Sequence, residues 1–103
     1  MQLLLNMLEF GRDPQEAVEE PRFYSYNFPQ SGFPSKYEPG MLRLEGRISD
    51  ETVESLRQKG HKIEMYPDWW EGSSLYCAIT RNPETKVLQG GADPRCEAYA
   101  VGY

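Results

Sequence analysis

One histidine and two cysteines, His61, Cys77 and Cys96, are the whole supply of imidazole and thiol in this chain. A structural zinc site takes about four ligands of that kind. No metal is therefore expected, and nothing in the residue pattern calls for a cofactor. Positive charge is also scarce: Lys and Arg number 11 against 16 Asp and Glu, for a net charge of −5. The attraction that draws proteins to phosphate backbones and anionic lipid is missing, so neither nucleic acid nor a membrane is an expected partner. Long apolar runs are absent too. Leu3-Leu4-Leu5 is broken by Asn6, far short of the roughly eighteen residues that cross a bilayer. The first residues carry no basic n-region and no small-residue cleavage site. The expectation is a soluble chain that stays in the cytoplasm, or one whose export signal lies upstream. Without a secretory context, Cys77 and Cys96 read as small apolar side chains in or beside a sheet rather than as a disulfide.

What is present suffices for one modest core. A chain of 103 residues is the size of one domain and buries roughly two-thirds of its surface on folding, so residues 1–103 are expected to form a single domain. Leu4, Met7 and Leu8, flanked by Leu3, Leu5 and Phe10, recur at three- and four-residue spacing. They predict a helix over 3–10 that stops at Gly11. Only Asn6 and Glu9 interrupt its apolar character, so such a helix belongs inside something. Asp13-Pro14-Gln15-Glu16 is a second helix start, with Asp13 as cap, Pro14 in the first position and Glu16 completing a capping box. Pro21 ends that helix, because proline disfavours helical geometry in the residue before it.

Residues 21–40 interleave Pro21, Pro29, Pro34 and Pro39 with Phe23, Tyr24, Tyr26, Phe28, Phe33 and Tyr37. Regular helix is excluded, and so many aromatics argue against disorder. The expectation is an extended arm laid across the core, ahead of a proline-rich ligand motif. Met41-Leu42-Arg43-Leu44-Glu45 alternates as a strand does. Ser49 or Asp50 then caps a helix over 50–59, with Val53 and Leu56 inward and Gly60 as its left-handed stop. Alternation over 61–66 predicts a second strand holding Ile63 and Met65 or their neighbours. Strands over 75–80 and 87–91 flank Asn82-Pro83 as a hairpin, and a short strand is expected at 99–103. The order predicts an α+β layer of about four short strands and three helices.

Candidate chemistry is thin. Gly90-Gly91-Ala92-Asp93-Pro94-Arg95 is the most distinctive string, yet it lacks the Lys-Ser/Thr and the following helix of a phosphate loop. Its glycines read as close packing at a strand end, with Asp93 and Arg95 as a structural ion pair. His61 and Glu64 point to opposite faces of a strand, which misaims a dyad. Glu16, Glu19 and Glu20 cluster on one short helix and Asp50, Glu51 and Glu54 open another, and both groups read as solvated faces. Trp69-Trp70, between Asp68 and Glu71, suits stacking on a sugar, although an aromatic plug over a sheet edge is simpler. Ser73-Ser74 has neither the Gly-x-Ser-x-Gly context nor a base. These residues alone assemble no active site.

Two longer strings change the picture. Gln2-Leu3-Leu4-Leu5-Asn6-Met7-Leu8-Glu9-Phe10-Gly11 is followed by Asp13-Pro14-Gln15-Glu16-Ala17-Val18-Glu19-Glu20-Pro21-Arg22-Phe23. Downstream come Leu42-Arg43-Leu44-Glu45, Glu54-Ser55-Leu56, Gly60-His61, the glycine-pair string and Ala100-Val101-Gly102-Tyr103. In this order they resemble the C-terminal part of the small subunit of the γ-glutamyltranspeptidase family, over nearly the whole chain. The arm after Phe23 is longer than in the best-known members, and Lys86 stands where a turn glycine is common.

The resemblance implies part of the αββα sandwich of an N-terminal nucleophile hydrolase. It also implies a self-cleaving precursor whose exposed threonine attacks a γ-glutamyl or related amide while its own α-amine serves as base. That threonine, the paired serines and the oxyanion glycines lie upstream of the matched region in the family. Thr52, Thr80 and Thr85 are internal here, and Gly90-Gly91 is not the oxyanion pair. No catalytic residue carries over; Arg22, Asp93 and Arg95 do, as structural anchors. The implied partners are the large subunit and the N-terminal part of the small subunit. The alternatives are a free-standing binding or oligomerisation module that self-associates through its apolar first helix, and, further off, a sugar-acting enzyme using Trp69-Trp70. Glutathione, a cephalosporin-like amide and a polyglutamate all stay open as the parent's substrate.

Overall fold

A computed structural model describes residues 1–72 and 74–102, which form three helices and five strands. In chain order these are α1 (Gln2–Leu8), α2 (Pro14–Glu19), β1 (Phe23–Ser25), β2 (Met41–Glu45), α3 (Asp50–Gln58), β3 (Lys62–Tyr66), β4 (Cys77–Arg81) and β5 (Leu88–Ala92). The chain divides into two compact units, Pro21–Trp70 and the described residues of Met1–Glu20 with Glu71–Tyr103.

In the unit Pro21–Trp70, β2 is the central strand of the sheet β1-β2-β3. β1 runs antiparallel to it, with Phe23 opposite Leu44, and β3 runs parallel, with Leu42 opposite Ile63. A parallel neighbour needs a crossover, which α3 supplies. Successive residues of β2 point to opposite faces. Leu42 and Leu44 therefore share one face and bury against Val53 of α3, with Ile48, Leu56 and Ile63 packed around them. The ends of α3 are set locally. The Ser49 Oγ accepts from the Thr52 amide at 3.3 Å, Asp50 and Glu51 occupy the first turn, Arg57 the last, and Gly60 adopts φ 90° just beyond.

The other unit is built on the antiparallel hairpin β4-β5, with Ile79 opposite Gly90. Its turn is organised by the Asn82 Oδ1, which accepts from the amides of Glu84 and Thr85 at 2.9 Å each. The capping box on α2 is complete: the Glu16 amide donates to Asp13 Oδ1 at 2.8 Å, and the Asp13 amide donates back to Glu16 Oε2 at 3.1 Å. Pro14, Ala17 and Val18 are the buried face of α2. The helix lies so close to β5 that a Cβ on Gly91 would sit 2.5 Å from the Pro14 carbonyl carbon and 2.7 Å from the Gln15 nitrogen. Backbone cannot yield to such a contact as a flexible side chain does. Gly91→Ala is accordingly expected to lower stability by about 2–3 kcal/mol, measured by denaturant unfolding with circular dichroism.

Two expectations are corrected. The arm is not laid across a core: its first residues become β1, and the rest closes as a loop through Tyr26 N to Met41 O at 3.1 Å and Gln30 N to Lys36 O at 2.9 Å. Phe28, Phe33 and Tyr37 remain 83%, 101% and 56% exposed. Backbone pairing rather than aromatic burial decides this segment. Met65, opposite Leu44 on β3, is exposed, whereas Ile63 packs against the Leu42–Val53 cluster. Residues 99–102 form no strand, and Tyr103 lies outside the described residues. The first helix forms, but none of its residues is buried within this chain.

Candidate functional site

An α-helix leaves its last carbonyls without intrahelical donors and carries partial negative charge there. At the end of α2 that deficit is met from far along the chain. Arg95 donates from Nη1 to the Val18 carbonyl at 2.9 Å and from Nη2 to the Glu20 carbonyl at 3.1 Å. Its Nη1 also pairs with Asp93 Oδ1 at 3.1 Å, and both side chains are 0% exposed. Asp93 in turn accepts from the Arg95 amide at Oδ1 and from the Tyr76 amide at Oδ2, each at 3.1 Å. A buried charge needs a partner and full hydrogen bonding, and here one ion pair joins the exit of α2, the exit of β5 and the approach to β4. Gln15 adds a second tie: its Oε1 accepts from Ala92 N at 3.0 Å and its Nε2 donates to Ala92 O at 3.1 Å. The side-chain amide thus imitates a peptide group alongside β5.

In the unit Pro21–Trp70 the corresponding residue is Glu45, 1% exposed. Its Oε2 accepts from the Arg22 amide at 3.0 Å and pairs with Arg47 Nη2 at 3.4 Å; its Oε1 accepts from the Trp70 amide at 3.3 Å. The Glu45 amide donates to the Arg22 carbonyl at 3.0 Å. Arg22, 3% exposed, is therefore held by both of its main-chain groups. Of the three residues singled out as anchors, Asp93 and Arg95 meet within one unit, while Arg22 belongs to the other. Neither Glu45 nor Gln15 was picked out from the sequence. Glu45 sits at the end of an alternating strand and Gln15 beside a helix cap, and neither position signals a distant partner.

The aromatic residues close ranks instead of opening a platform. Trp70 meets Tyr66 with ring centroids 4.1 Å apart and Tyr24 edge-on at 5.4 Å. The Arg47 guanidinium lies 3.6 Å over Trp69, a cation–π contact that occupies the ring face a sugar would use. Arg43 lies 4.1 Å over Tyr26 and pairs with Glu64 and Glu38. The hydrogen bond that Arg43 donates to the Glu64 carboxylate raises its guanidinium above the ordinary range. Burial raises the Tyr66 phenol, with Arg43 acting against it. Glu64 is thus engaged by Arg43 and forms no dyad with His61.

A shallow cavity of about 590 Å³ beside Arg95 is lined also by Glu71, Leu75, Pro94, Cys96 and Glu97. Its guanidinium is already committed to Asp93, Val18 and Glu20, and the Cys96 thiol donates to the Asp93 carbonyl at 3.5 Å. Among the described residues no three His, Cys, Asp or Glu side chains are grouped to hold a metal, and no helix is long and apolar enough to cross a membrane. Ser73, half of the serine pair considered above, lies outside the described residues. Chemically the arrangement neutralises buried charge and fastens backbone.

Comparison with known proteins gives this arrangement its context. The profile of the gamma-glutamyltranspeptidase family matches residues 1–103. The chain is 37% identical over 100 residues to the glutathione hydrolase-like YwrD proenzyme of Bacillus subtilis (strain 168), covering 97% of this chain and 18% of that protein. It is 39% identical over 90 residues to the oxamate amidohydrolase proenzyme of Klebsiella pneumoniae subsp. pneumoniae, covering 86% of this chain and 16% of that one. Cephalosporin acylase from Bacillus halodurans superposes with a TM-score of 0.77 at 27% identity, over 100% of this chain and 18% of the acylase. The α+β architecture is thus that of one part of an N-terminal nucleophile hydrolase. The chain spans less than a fifth of each of these proteins, and it belongs to the gamma-glutamyltranspeptidase family.

Proposed function

We propose that residues 1–103 act as a noncatalytic scaffold segment, the C-terminal part of the small subunit of an amide-cleaving or acyl-transferring enzyme of this family. The observation that carries this reading is the use to which buried charge is put. Glu45, Asp93 and Arg95 are each committed to main-chain groups within their own unit. Thr52, Thr80 and Thr85 are internal to the chain and offer no free α-amine, which the family's mechanism requires of its nucleophile. In this reading Arg22, Asp93 and Arg95 hold the C-terminal layer beneath the sheet that bears the nucleophile. The large subunit and the N-terminal part of the small subunit then cover the exposed residues Leu4, Leu5 and Leu8 of α1, together with Ile79 and Leu88 of the hairpin.

The expected result is that the purified chain alone releases no aniline from a γ-glutamyl anilide above the buffer rate. Saturable turnover without any added subunit would overturn the proposal. A second reading, a free-standing module that self-associates through α1, rests on the absence of any buried residue in that helix. It predicts a discrete dimer that Leu8→Ser dissolves.

A further inference from the structure

Two glycines stand side by side in β5, and neither is there for its backbone. Among the described glycines, positive φ is confined to Gly11, Gly40 and Gly60, so Gly90 and Gly91 hold dihedrals open to any residue. Glycine in a strand interior weakens the strand and marks a place where something else comes close. Successive residues of a strand face opposite ways, and the two glycines meet different neighbours. A Cβ on Gly91 would meet the backbone of α2, whereas a Cβ on Gly90 would sit 3.1 Å from the Ala100 Cβ. Exposure along the hairpin follows the same division. Ala78 and Thr80 are half-buried on the α2 side, while Cys77, Ile79 and Arg81 are exposed on the other, with Ile79 opposite Gly90. Residues 98–102 therefore cross this outer face. They start from a fixed point, since Arg95 is buried in its ion pair and the Ala98 amide donates to the Cys96 carbonyl at 2.9 Å. Tyr99 and Val101, on either side of Ala100, are 84% and 88% exposed. Of these three residues it is Ala100 that meets the sheet.

We propose that residues 98–102 are a releasable strap, seated on the hairpin by the Ala100 methyl over the bare backbone of Gly90, and that it shields the outer face beside Ile79 and Leu88. The two glycines are then back-to-back seats, one for α2 and one for the strap. The contact has the character of a latch. One methyl makes few dispersion contacts, and the strap can lift without disturbing the ladder that joins β4 to β5. Closed, it stands in the way of any surface that reaches for Ile79 and Leu88, both exposed. Open, it leaves those side chains and Gly90 as one continuous patch. The strap and its seat belong to the same compact unit, and the inference does not depend on the scaffold reading.

The test is nuclear magnetic resonance of the full chain. The wild type is expected to show a cross-relaxation peak between the Ala100 methyl and the Gly90 α-protons, with backbone order parameters at residues 99–101 above about 0.6. Gly90→Val fills the seat. Valine suits a strand better than glycine does, so the hairpin is expected to keep its amide spectrum and unfolding midpoint while the order parameters at residues 99–101 fall below about 0.6. Ala100→Leu forces the same collision from the strap, at an exposed position that leaves the fold intact. It is expected to give the same loss of order, and it carries the test should Gly90→Val fail to fold. A missing cross-peak in the wild type, or order parameters in Ala100→Leu that stay at the wild-type value, overturns the proposal.

Discussion

Arg95→Ala is expected to cost about 3–5 kcal/mol, because it leaves Asp93 as an uncompensated buried charge. It also strips donors from the carbonyls of Val18 and Glu20 at the end of α2. A domain of this size has about 5–15 kcal/mol in hand, so the unit holding α1, α2, β4 and β5 is left close to its unfolding threshold. Denaturant unfolding checks the magnitude. In the complete precursor the same substitution is expected to suppress self-cleavage, if the segment supports the nucleophile's sheet as proposed. Normal cleavage with normal stability would remove the anchor role. Arg95→Lys separates charge from geometry: an ammonium keeps the charge but not the planar fork that reaches two carbonyls and a carboxylate at once. Its cost is expected to be intermediate, about 1–2 kcal/mol.

Replacing Glu45 has a comparable effect for a different reason. Glu45→Ala removes the acceptor for the amides of Arg22 and Trp70 and for the Arg47 guanidinium. Unmet buried donors cost about 1–3 kcal/mol each, and more where one is charged. A loss of about 3–5 kcal/mol is expected in the unit around β2. Glu45→Gln preserves shape and one carbonyl acceptor, and a loss nearer 1–2 kcal/mol is expected. Trp fluorescence provides a local readout, since Trp70 packs on Tyr66 and Tyr24. A Glu45→Ala chain with unchanged fluorescence and unfolding midpoint would show that these contacts carry no weight.

These two sites show how differently parts of the molecule could be read in advance. The string around Asp93 and Arg95 was visible because glycine, proline and opposite charges cluster within a few residues. Its partners were not: Arg95 reaches Val18 across a separation of 77 residues, and no periodicity encodes such a distance. Glu45 was hidden by its own strand. In an alternating run a carboxylate beside Leu44 reads as the solvent face, and only the arrival of the Arg22 and Trp70 main chain makes that face an interior. The arm misled in the opposite direction. Its aromatics promised burial, but Phe28 and Phe33 lie on a loop whose shape is set by backbone hydrogen bonds.

What the sequence determined by itself is whatever depends on neighbours within a turn or two. The capping box at Asp13 and Glu16, the Ser49 cap, the left-handed stops at Gly11 and Gly60, the β2 alternation and the hairpin around Asn82 all belong there. Such interactions are short-ranged, so side-chain chemistry and spacing specify them before the chain is compact. Tertiary structure alone decided which charges are buried, and against what. Burying a charge is favourable only where distant groups converge to replace its water, and that convergence at Glu45, Asp93 and Arg95 exists only once the chain has folded.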